Sequence, residues 1–300
     1  MKLNKERILI LTQTDPEKDM MFKNWISAGY SANIIFSNVN KFLRGVRRIW
    51  MNSFLPGKKL WLKKDWLLTL DNYDAIILHA NNFSRHIPKI IHKQNKDIKI
   101  IYWYWNIVTP PSSPKKVTDS DVEMWTFDEL DAQKYKMKTN VQYYSEFSVK
   151  KSANICQDVY FIGHDKGRRN QIKSLQEEFK SRNISSKLDI IDENAKALIP
   201  YDKVCDNIAR SKAILEINQE GQRGYTLRAM EALFFEKKLI TNNKHICHED
   251  FYSKNNIFIL GMDDLDRLSE FVNSKYDESV NVYKNKYNID AWVNNFFSER

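Results

Sequence analysis

Short apolar runs alternate with stretches of helical spacing along most of this 300-residue chain. This alternation limits the possible folds more than any other feature of the sequence. In the first half, the apolar runs predict strands at residues 8–12, 31–36, 75–79, 98–104, 122–127 and 141–144, with helices at 20–28 and 84–94. Because short apolar strands separated by helices are typical of parallel sheets covered on both faces, the pattern predicts an α/β fold.

The same pattern begins again near residue 158. Further strands are predicted at 159–163, 188–191, 213–217, 239–241 and 257–260, with helices at 167–182, 204–211, 226–235 and 263–274. A last amphipathic helix at 290–297 could return to the first half. We therefore predict two Rossmann-like lobes with mostly parallel sheets, residues 1–150 and 151–300. They are expected to face a central cleft, since open α/β sheets bind ligands at the carboxyl ends of their strands.

The composition, with 42% hydrophobic and 28% charged residues, is that of a folded protein. The three cysteines, Cys156, Cys205 and Cys247, are far apart and form no C-x-x-C pair, so neither a disulfide framework nor a zinc motif is expected. The first apolar run is too short for a signal peptide, and no apolar run is long enough to cross a bilayer. The sequence therefore predicts a cytoplasmic protein.

Residues 41–68, called the basic segment below, carry a net charge of +7, whereas the rest of the chain carries +2. Three of the eight tryptophans also lie in this segment. Tryptophan favours the headgroup region and basic side chains attract anionic lipid, so we expect peripheral docking on the inner face of the cell membrane. The residues expected to take part are Arg47, Arg48, Trp50, Trp61, Lys63 and Lys64.

Two alternatives compete with membrane docking by the basic segment. The segment could be a solvated basic face whose tryptophans pack on the core. Basic and aromatic residues also bind nucleic acid, but no recognition-helix, RNP or zinc-finger pattern occurs in the chain. We therefore expect no nucleic-acid partner.

Residues 161–169, F-I-G-H-D-K-G-R-R, lead from a predicted strand through a turn into a predicted helix. Gly163 and Gly167 permit close approach of a ligand to the backbone, and the helix N-terminus offers free N–H groups to an anion. Lys166, Arg168 and Arg169 add cations suited to a diphosphate. Taken alone, the motif is equally well explained as a plain strand-to-helix connection.

A second motif, E-I-N-Q-E-G-Q-R-G-Y-T-L-R-A-M-E-A-L, covers residues 216–233. It predicts a strand, a loop with Gly221 and Gly224, and a helix on which Arg228 and Glu231 share a face. A carboxylate there can accept hydrogen bonds from both ribose hydroxyls, while the loop and Arg228 face phosphate. The alternative is an ordinary surface ion pair between residues three apart.

The run G-Y-T-L-R-A-M-E-A-L-F-F-E-K-K-L-I-T-N-N, residues 224–243, resembles the donor-site element of GT-B glycosyltransferases, especially bacterial enzymes of surface-polysaccharide assembly. Residues 160–169 resemble the opening strand and phosphate loop of the same lobe, and the resemblance extends over about residues 158–262. It implies a nucleotide-diphosphate sugar as donor and Glu231 as the ribose ligand. It also implies a donor-phosphate region made of Gly221, Gly224, Thr226 and Arg228.

The sequence departs from the common retaining pattern of this family, which has two acids eight positions apart, because Arg223 stands at the earlier position. We therefore expect inversion at the transferred sugar carbon. No Asp-x-Asp follows a predicted strand, so no essential metal and no cofactor are expected. Lys166, Arg168 and Arg228 would neutralise the diphosphate.

An inverting transfer needs a base for the acceptor hydroxyl. Asp15 follows the first predicted strand and is also a good helix cap, His79 ends the strand predicted at 75–79, and Asp128 follows that at 122–127. His79 and Asp128 could instead be structural, since a histidine at a strand end is more often a hydrogen-bonded core residue than a catalyst. Trp105 and Asn106 end an aromatic run and are placed to stack on and hydrogen-bond a sugar of a saccharide or lipid-linked acceptor. Two other functions stay open: a non-catalytic nucleotide-sugar or polyanion-binding module that recruits a partner enzyme, and a nucleotide-sugar epimerase.

Overall fold

The computed structural model describes residues 4–13, 20–151, 154–192, 199–219 and 222–298. The chain forms two compact units. The first unit comprises Met1–Val141 and Val293–Arg300, and the second comprises Gln142–Trp292. Each unit contains one parallel sheet flanked by helices, which confirms the α/β fold with mostly parallel sheets that the sequence predicts.

The first unit is built on a six-stranded sheet with the order β2-β1-β3-β4-β5-β6, and every strand pair in it is parallel. The strands are β1 Ile8–Thr12, β2 Ser31–Ile34, β3 Ala75–His79, β4 Lys99–Tyr104, β5 Val122–Thr126 and β6 Lys138–Thr139. The helices are α1 Met20–Ser27, α2 Lys41–Asn52, α3 Lys64–Leu67, α4 Ile87–His92 and α5 Glu129–Tyr135. All residues of the central strands β1 and β3 are buried, as expected for a sheet covered on both faces.

The second unit is built on a five-stranded parallel sheet with the order β11-β10-β9-β7-β8. The strands are β7 Gln157–His164, β8 Ser186–Ile191, β9 Ser211–Glu216, β10 Lys238–Thr241 and β11 Ile257–Ile259. The helices are α6 Arg169–Ser181, α7 Tyr201–Ala209, α8 Leu227–Phe235 and α9 Leu268–Asn273. A last helix, α10 Ile289–Asn295, begins in this unit and ends in the first. The carboxyl end of β9 therefore lies between β7 and β10, where the connections from β7 and β9 can meet.

The strand predicted at 141–144 is wrong. The last strand of the first sheet is instead Lys138–Thr139, and Tyr144 forms only an isolated bridge with Asn288. The aromatic character of this stretch reflects side-chain packing, since the ring of Tyr143 stacks on that of Trp292 with centroids 4.0 Å apart. An apolar run cannot by itself distinguish a strand from an extended segment that buries aromatic rings.

The end of the chain packs on the first sheet. The ring of Phe296 lies 5.8 Å from that of Trp103 in β4 and 5.1 Å from that of Trp125 in β5, in both cases edge to face. Lys99 Nζ also donates to the carbonyl of Phe296 at 3.0 Å. No helix in the described part of the chain is both long and apolar enough to span a membrane.

Candidate functional site

The connection from β9 to α8 is fastened by Glu216, the last residue of β9. Its Oε1 accepts hydrogen bonds from the backbone N–H and the hydroxyl of Thr226, both at 2.7 Å, and its Oε2 accepts from the hydroxyl of Thr241 at 2.8 Å. Thr226 in turn caps α8, because its hydroxyl oxygen accepts from the N–H of Arg228 at 3.1 Å. Glu216 is 1% exposed, and burial raises the pKa of its carboxyl although the two threonines partly offset this.

Arg228 and Glu231 form an ion pair on the first turns of α8, through Arg228 Nη1 and Glu231 Oε2. The Glu231 side chain is 0% exposed and that of Arg228 is 19% exposed, so this is not an ordinary surface pair. Burial raises the pKa of the Glu231 carboxyl, whereas Arg228 and Tyr201 act to lower it. A buried carboxylate without a partner would be strongly unfavourable, and Arg228 supplies the neutralising charge.

Tyr201, the first residue of α7, hydrogen-bonds to the other carboxylate oxygen of Glu231. Its hydroxyl lies 2.5 Å from Glu231 Oε1 and 2.9 Å from the hydroxyl of Tyr144. A phenol has one proton, so Tyr201 donates to the nearer carboxylate and accepts from Tyr144. The hydroxyl of Tyr144 also lies 3.8 Å from Cys205 Sγ, whose pKa burial raises to about 12. The thiol is therefore neutral, and Glu231 Oε1 is a position that holds a hydroxyl group.

Three asparagines, which the sequence analysis did not single out, hold the loop before α8. Asn218 Nδ2 donates to the carbonyl of Gly224 at 3.1 Å, and its own N–H donates to Asn242 Oδ1 at 2.7 Å. Asn243 Nδ2 donates to the carbonyl of Arg223 at 3.0 Å. The two asparagines directly after β10 were the available signal, because amides after adjacent parallel strands meet at one sheet edge. Gly221 lies outside the described residues.

The turn after β7 has the tight geometry that its glycines predict. Lys166 and Gly167 have φ of 45° and 78°, and the left-handed region is easily reached only by glycine. A Cβ on Gly163 would lie 3.0 Å from Phe161 Cζ and 3.2 Å from Arg168 Nη2, so a side chain at this position would require these two neighbours to shift by a few tenths of an ångström. The turn therefore brings Arg168 against the strand that precedes it.

The guanidinium of Arg168 binds backbone carbonyls. Nη2 donates to His164 at 2.8 Å, and Nη1 donates to Ile217, directly after β9. Arg168 thus joins the turn after β7 to the start of the β9–α8 connection. Lys166 is exposed, which leaves its ammonium accessible to an anion. Among the described residues, no group of three or more His, Cys, Asp or Glu side chains is arranged to hold a metal ion.

Two of the three candidate bases, His79 and Asp128, lie in the described part of the chain, and both are buried. Asp15 lies outside the described residues. Asp128 is 1% exposed and caps α5, since its Oδ1 accepts from the N–H of Asp131 at 3.1 Å. His79, at the end of β3, is 7% exposed, and burial lowers its pKa to about 3. Such a weakly basic imidazole is poorly matched to removing a hydroxyl proton near neutral pH.

The two predicted sugar contacts, Trp105 and Asn106, follow β4 and are exposed. Trp105 is 46% exposed, and its ring lies 5.8 Å from that of His79. The His79 ring in turn contacts the buried ring of Trp25, edge to face, with centroids 5.1 Å apart. The Trp105 ring therefore packs against the buried ring of His79 and keeps an accessible surface, which stacking on a sugar requires.

The basic segment folds into α2, the short 3-10 helix Lys58–Trp61, and α3. Two of the cations expected at the membrane are engaged by the protein: Arg47 Nη1 donates to Ser37 O at 2.8 Å, and Lys63 Nζ lies 2.9 Å from Asp65 Oδ2.

The other four residues expected at the membrane, two cations and two tryptophans, differ in exposure. Arg48 and Lys64 are exposed. Trp50 and Trp61 are half-buried, with their rings 6.3 Å apart, and Trp50 Nε1 donates to Pro56 O at 2.7 Å. The exposed apolar side chains of the segment are instead Phe42, Leu43, Ile49, Phe54, Leu55, Leu60 and Leu68.

Comparison with known proteins places this architecture among glycosyltransferase folds. Neither a protein-family model nor a curated protein matches the sequence. Among solved structures, AviGT4, a glycosyltransferase involved in avilamycin A biosynthesis, matches with a TM-score of 0.56 and 10% identity over 97% of this chain and 95% of that one. Sucrose-phosphate synthase from Thermosynechococcus elongatus matches with a TM-score of 0.53 and 9% identity over 97% of both chains.

The fold is thus that of the GT-B type, as the sequence motifs led us to expect. Identities near 10% establish the fold alone, because one fold supports many functions. The chemistry of this chain has to be argued from its own residues.

Proposed function

We propose that this protein is a glycosyltransferase that binds a nucleotide-diphosphate sugar in its second unit. The observation that carries the proposal is the buried Arg228–Glu231 pair at the start of α8, with a hydroxyl already bound at Glu231 Oε1. A ribose hydroxyl has the same donor chemistry as the Tyr201 phenol and would take its place. The fold shared with two glycosyltransferases supports this assignment.

The donor phosphates would lie beside the two strand-to-helix connections of the second unit. Lys166 offers an exposed ammonium there, and the N-terminus of α8 is capped by Thr226 rather than by an acid. Arg168 would act by positioning, since its guanidinium binds carbonyls of both connections. Gly163, Gly221 and Gly224 would complete the donor region.

The reaction that we propose is an inverting transfer to a saccharide or lipid-linked acceptor in the assembly of a bacterial surface polysaccharide, without an essential metal. Replacement of the usual earlier acid by Arg223 supports inversion. Trp105 and Asn106 are the proposed acceptor contacts. Asp15 is the preferred base, because Asp128 serves as a helix cap and His79 is weakly basic.

We also propose that the enzyme works at the inner face of the cell membrane. The support is the charge of the basic segment, +7 of a total of +9, together with its seven exposed large apolar side chains. A lipid-linked acceptor would be presented at that surface.

Ligand-dependent thermal stabilisation tests the donor assignment. Wild-type protein is heated with UDP-, GDP-, ADP-, CMP- and dTDP-sugars in turn, and one of these is expected to raise the unfolding temperature. Glu231→Gln should lose that increase, whereas Glu270→Gln, which alters an exposed acid on α9, should keep it. If none of the nucleotide sugars raised the unfolding temperature, the transferase proposal would be rejected. An unchanged response of Glu231→Gln would reject the site.

A further inference from the structure

Cations from separate parts of the first unit meet beside the end of α2. Arg85 Nη2 donates to the carbonyl of Asn52, the last residue of α2, and Arg85 Nε donates to His86 Nε2 at 3.1 Å. Lys58, on the 3-10 helix Lys58–Trp61, and Lys89, on α4, lie close enough to interact electrostatically with His86. The cluster thus joins the basic segment to α4.

In the part of the chain that the structure describes, no acid forms an ion pair with this cluster. Among the described residues, neither Lys58, Arg85 nor Lys89 takes part in an ion pair, and each of these three cations acts to lower the pKa of His86. Burial and the three cations lower the pKa of His86 to about 4, so its ring is neutral and can accept from Arg85. Positive charges gathered without a counter-charge favour an external anion.

Exposed apolar side chains adjoin the cluster, on the loop after α2 and on the 3-10 helix Lys58–Trp61. Phe54 is 104% exposed, Leu55 is 48% exposed and Leu60 is 83% exposed, although all three are large apolar side chains. The loop is fastened to the cations, since Lys58 Nζ donates to the carbonyl of Leu55 at 2.6 Å and Arg85 holds that of Asn52. Apolar groups beside unpaired cations match a ligand that has a phosphate next to hydrocarbon.

We propose that Lys58, Arg85 and Lys89, together with Phe54, Leu55 and Leu60, form a binding site for an anionic phospholipid of the bilayer. The cations would hold its phosphate, and the apolar side chains would enter the adjacent hydrocarbon. This inference rests on the membrane partner proposed above and makes it specific. The contact lies at the end of α2 and at α4, and phenylalanine and leucine enter the bilayer rather than Trp50 and Trp61.

Sedimentation of the full-length protein with vesicles tests the site. The vesicles contain phosphatidylglycerol in phosphatidylcholine, with pure phosphatidylcholine as the uncharged comparison. Each cation near an anionic surface contributes about fivefold to affinity, so Lys58→Gln/Lys89→Gln should weaken binding to the anionic vesicles about 25-fold. The control is Lys173→Gln/Lys180→Gln, which removes the same charge from exposed positions on α6 and should bind like wild type. Equal weakening by both pairs would overturn the site.

A second pair of variants tests the apolar part. Phe54→Ser/Leu60→Ser should reduce the binding that persists at high salt, whereas Ile26→Ser/Met262→Ser, at exposed positions elsewhere, should not. Two other outcomes would overturn the proposal. In one, inorganic phosphate at low concentration displaces the protein from vesicles, which would indicate a site for free phosphate. In the other, the protein self-associates through Phe54 and Leu60, which would indicate a second copy as the partner.

Failure of this proposal can be distinguished from failure of the transferase proposal. Stabilisation by nucleotide sugars is expected to depend on Glu231 in the second unit and needs no vesicles. Lys58→Gln/Lys89→Gln should therefore keep the wild-type response to the nucleotide sugar. Loss of vesicle binding with that response intact would support two separate sites.

Discussion

Thr226 donates two hydrogen bonds to one oxygen of Glu216, from its backbone N–H and from its hydroxyl, each 2.7 Å long. These bonds link the last residue of β9 to the N-terminal cap of α8, and the second oxygen of Glu216 binds Thr241 at the end of β10. One carboxylate therefore fixes the start of the helix that carries Arg228 and Glu231. Glu216 is a positioning residue of the proposed donor site.

Two substitutions of Glu216 should distinguish the effect of its hydrogen bonds on stability from the effect of its charge. Glu216→Ala leaves the buried hydroxyl of Thr241 and the two part-buried donors of Thr226 without their acceptor. An unsatisfied buried group costs about 1–3 kcal/mol and a part-buried one costs less, so the free energy of unfolding should fall by about 3 kcal/mol. Glu216→Gln keeps an oxygen for Thr226 and offers an N–H to the hydroxyl of Thr241, so its loss should be less than half of that. Urea denaturation monitored by tryptophan fluorescence measures both variants. Equal stability of the two would contradict the positioning role.

The hydroxyl of Tyr201 competes with a ribose hydroxyl for Glu231 Oε1 if the donor proposal is correct. Tyr201→Phe should lower the unfolding temperature without ligand, because a buried carboxylate oxygen loses its hydrogen bond. The same variant should show a larger increase in unfolding temperature when the stabilising nucleotide sugar is added, since the oxygen is then available.

Tyr160→Phe is the matched control for the Tyr201 variant. Its hydroxyl also lies in the second unit, but it accepts from Asn207 Nδ2 at 3.5 Å rather than binding Glu231. The control should leave the ligand-induced increase unchanged. A smaller increase for Tyr201→Phe than for wild type would mean that Tyr201 assists nucleotide binding instead of competing with it.

Much of the fold could be predicted from the sequence, because buried parallel strands are continuous apolar runs of limited length. Runs such as that of β3 are unambiguous, and its predicted and observed bounds coincide. The strand prediction at 141–144 was wrong because Tyr143 and Tyr144 are buried by packing against other aromatic rings and not within a sheet. Burial is visible in a sequence, but the kind of neighbour that causes it is not.

The candidate site was less predictable, because its contacts join residues that are distant in the chain. The spacing of Arg228 and Glu231 predicts that they share a helical face, and local sequence suffices for that. The contact of Tyr201 with Glu231 connects different helices, and Glu216 reads simply as the end of a strand. Arg168 was predicted to bind phosphate, yet the structure shows its guanidinium on backbone carbonyls, which no spacing rule indicates.

His79 should make the protein sensitive to acid. Its pKa is about 3 in the folded protein because of burial, against an ordinary value of 6.5, so below pH 6.5 the unfolded chain binds a proton that the folded protein does not. The stabilising effect of the neutral ring is complete above pH 6.5 and is lost as the pH falls toward 3, at about 1.4 kcal/mol per pH unit. His79→Phe keeps a ring against Trp25 and should reduce this slope by one proton between pH 6 and pH 4. Urea denaturation across that range measures the slope. An identical slope in the variant would show that His79 takes up its proton in the folded protein as readily as in the unfolded chain.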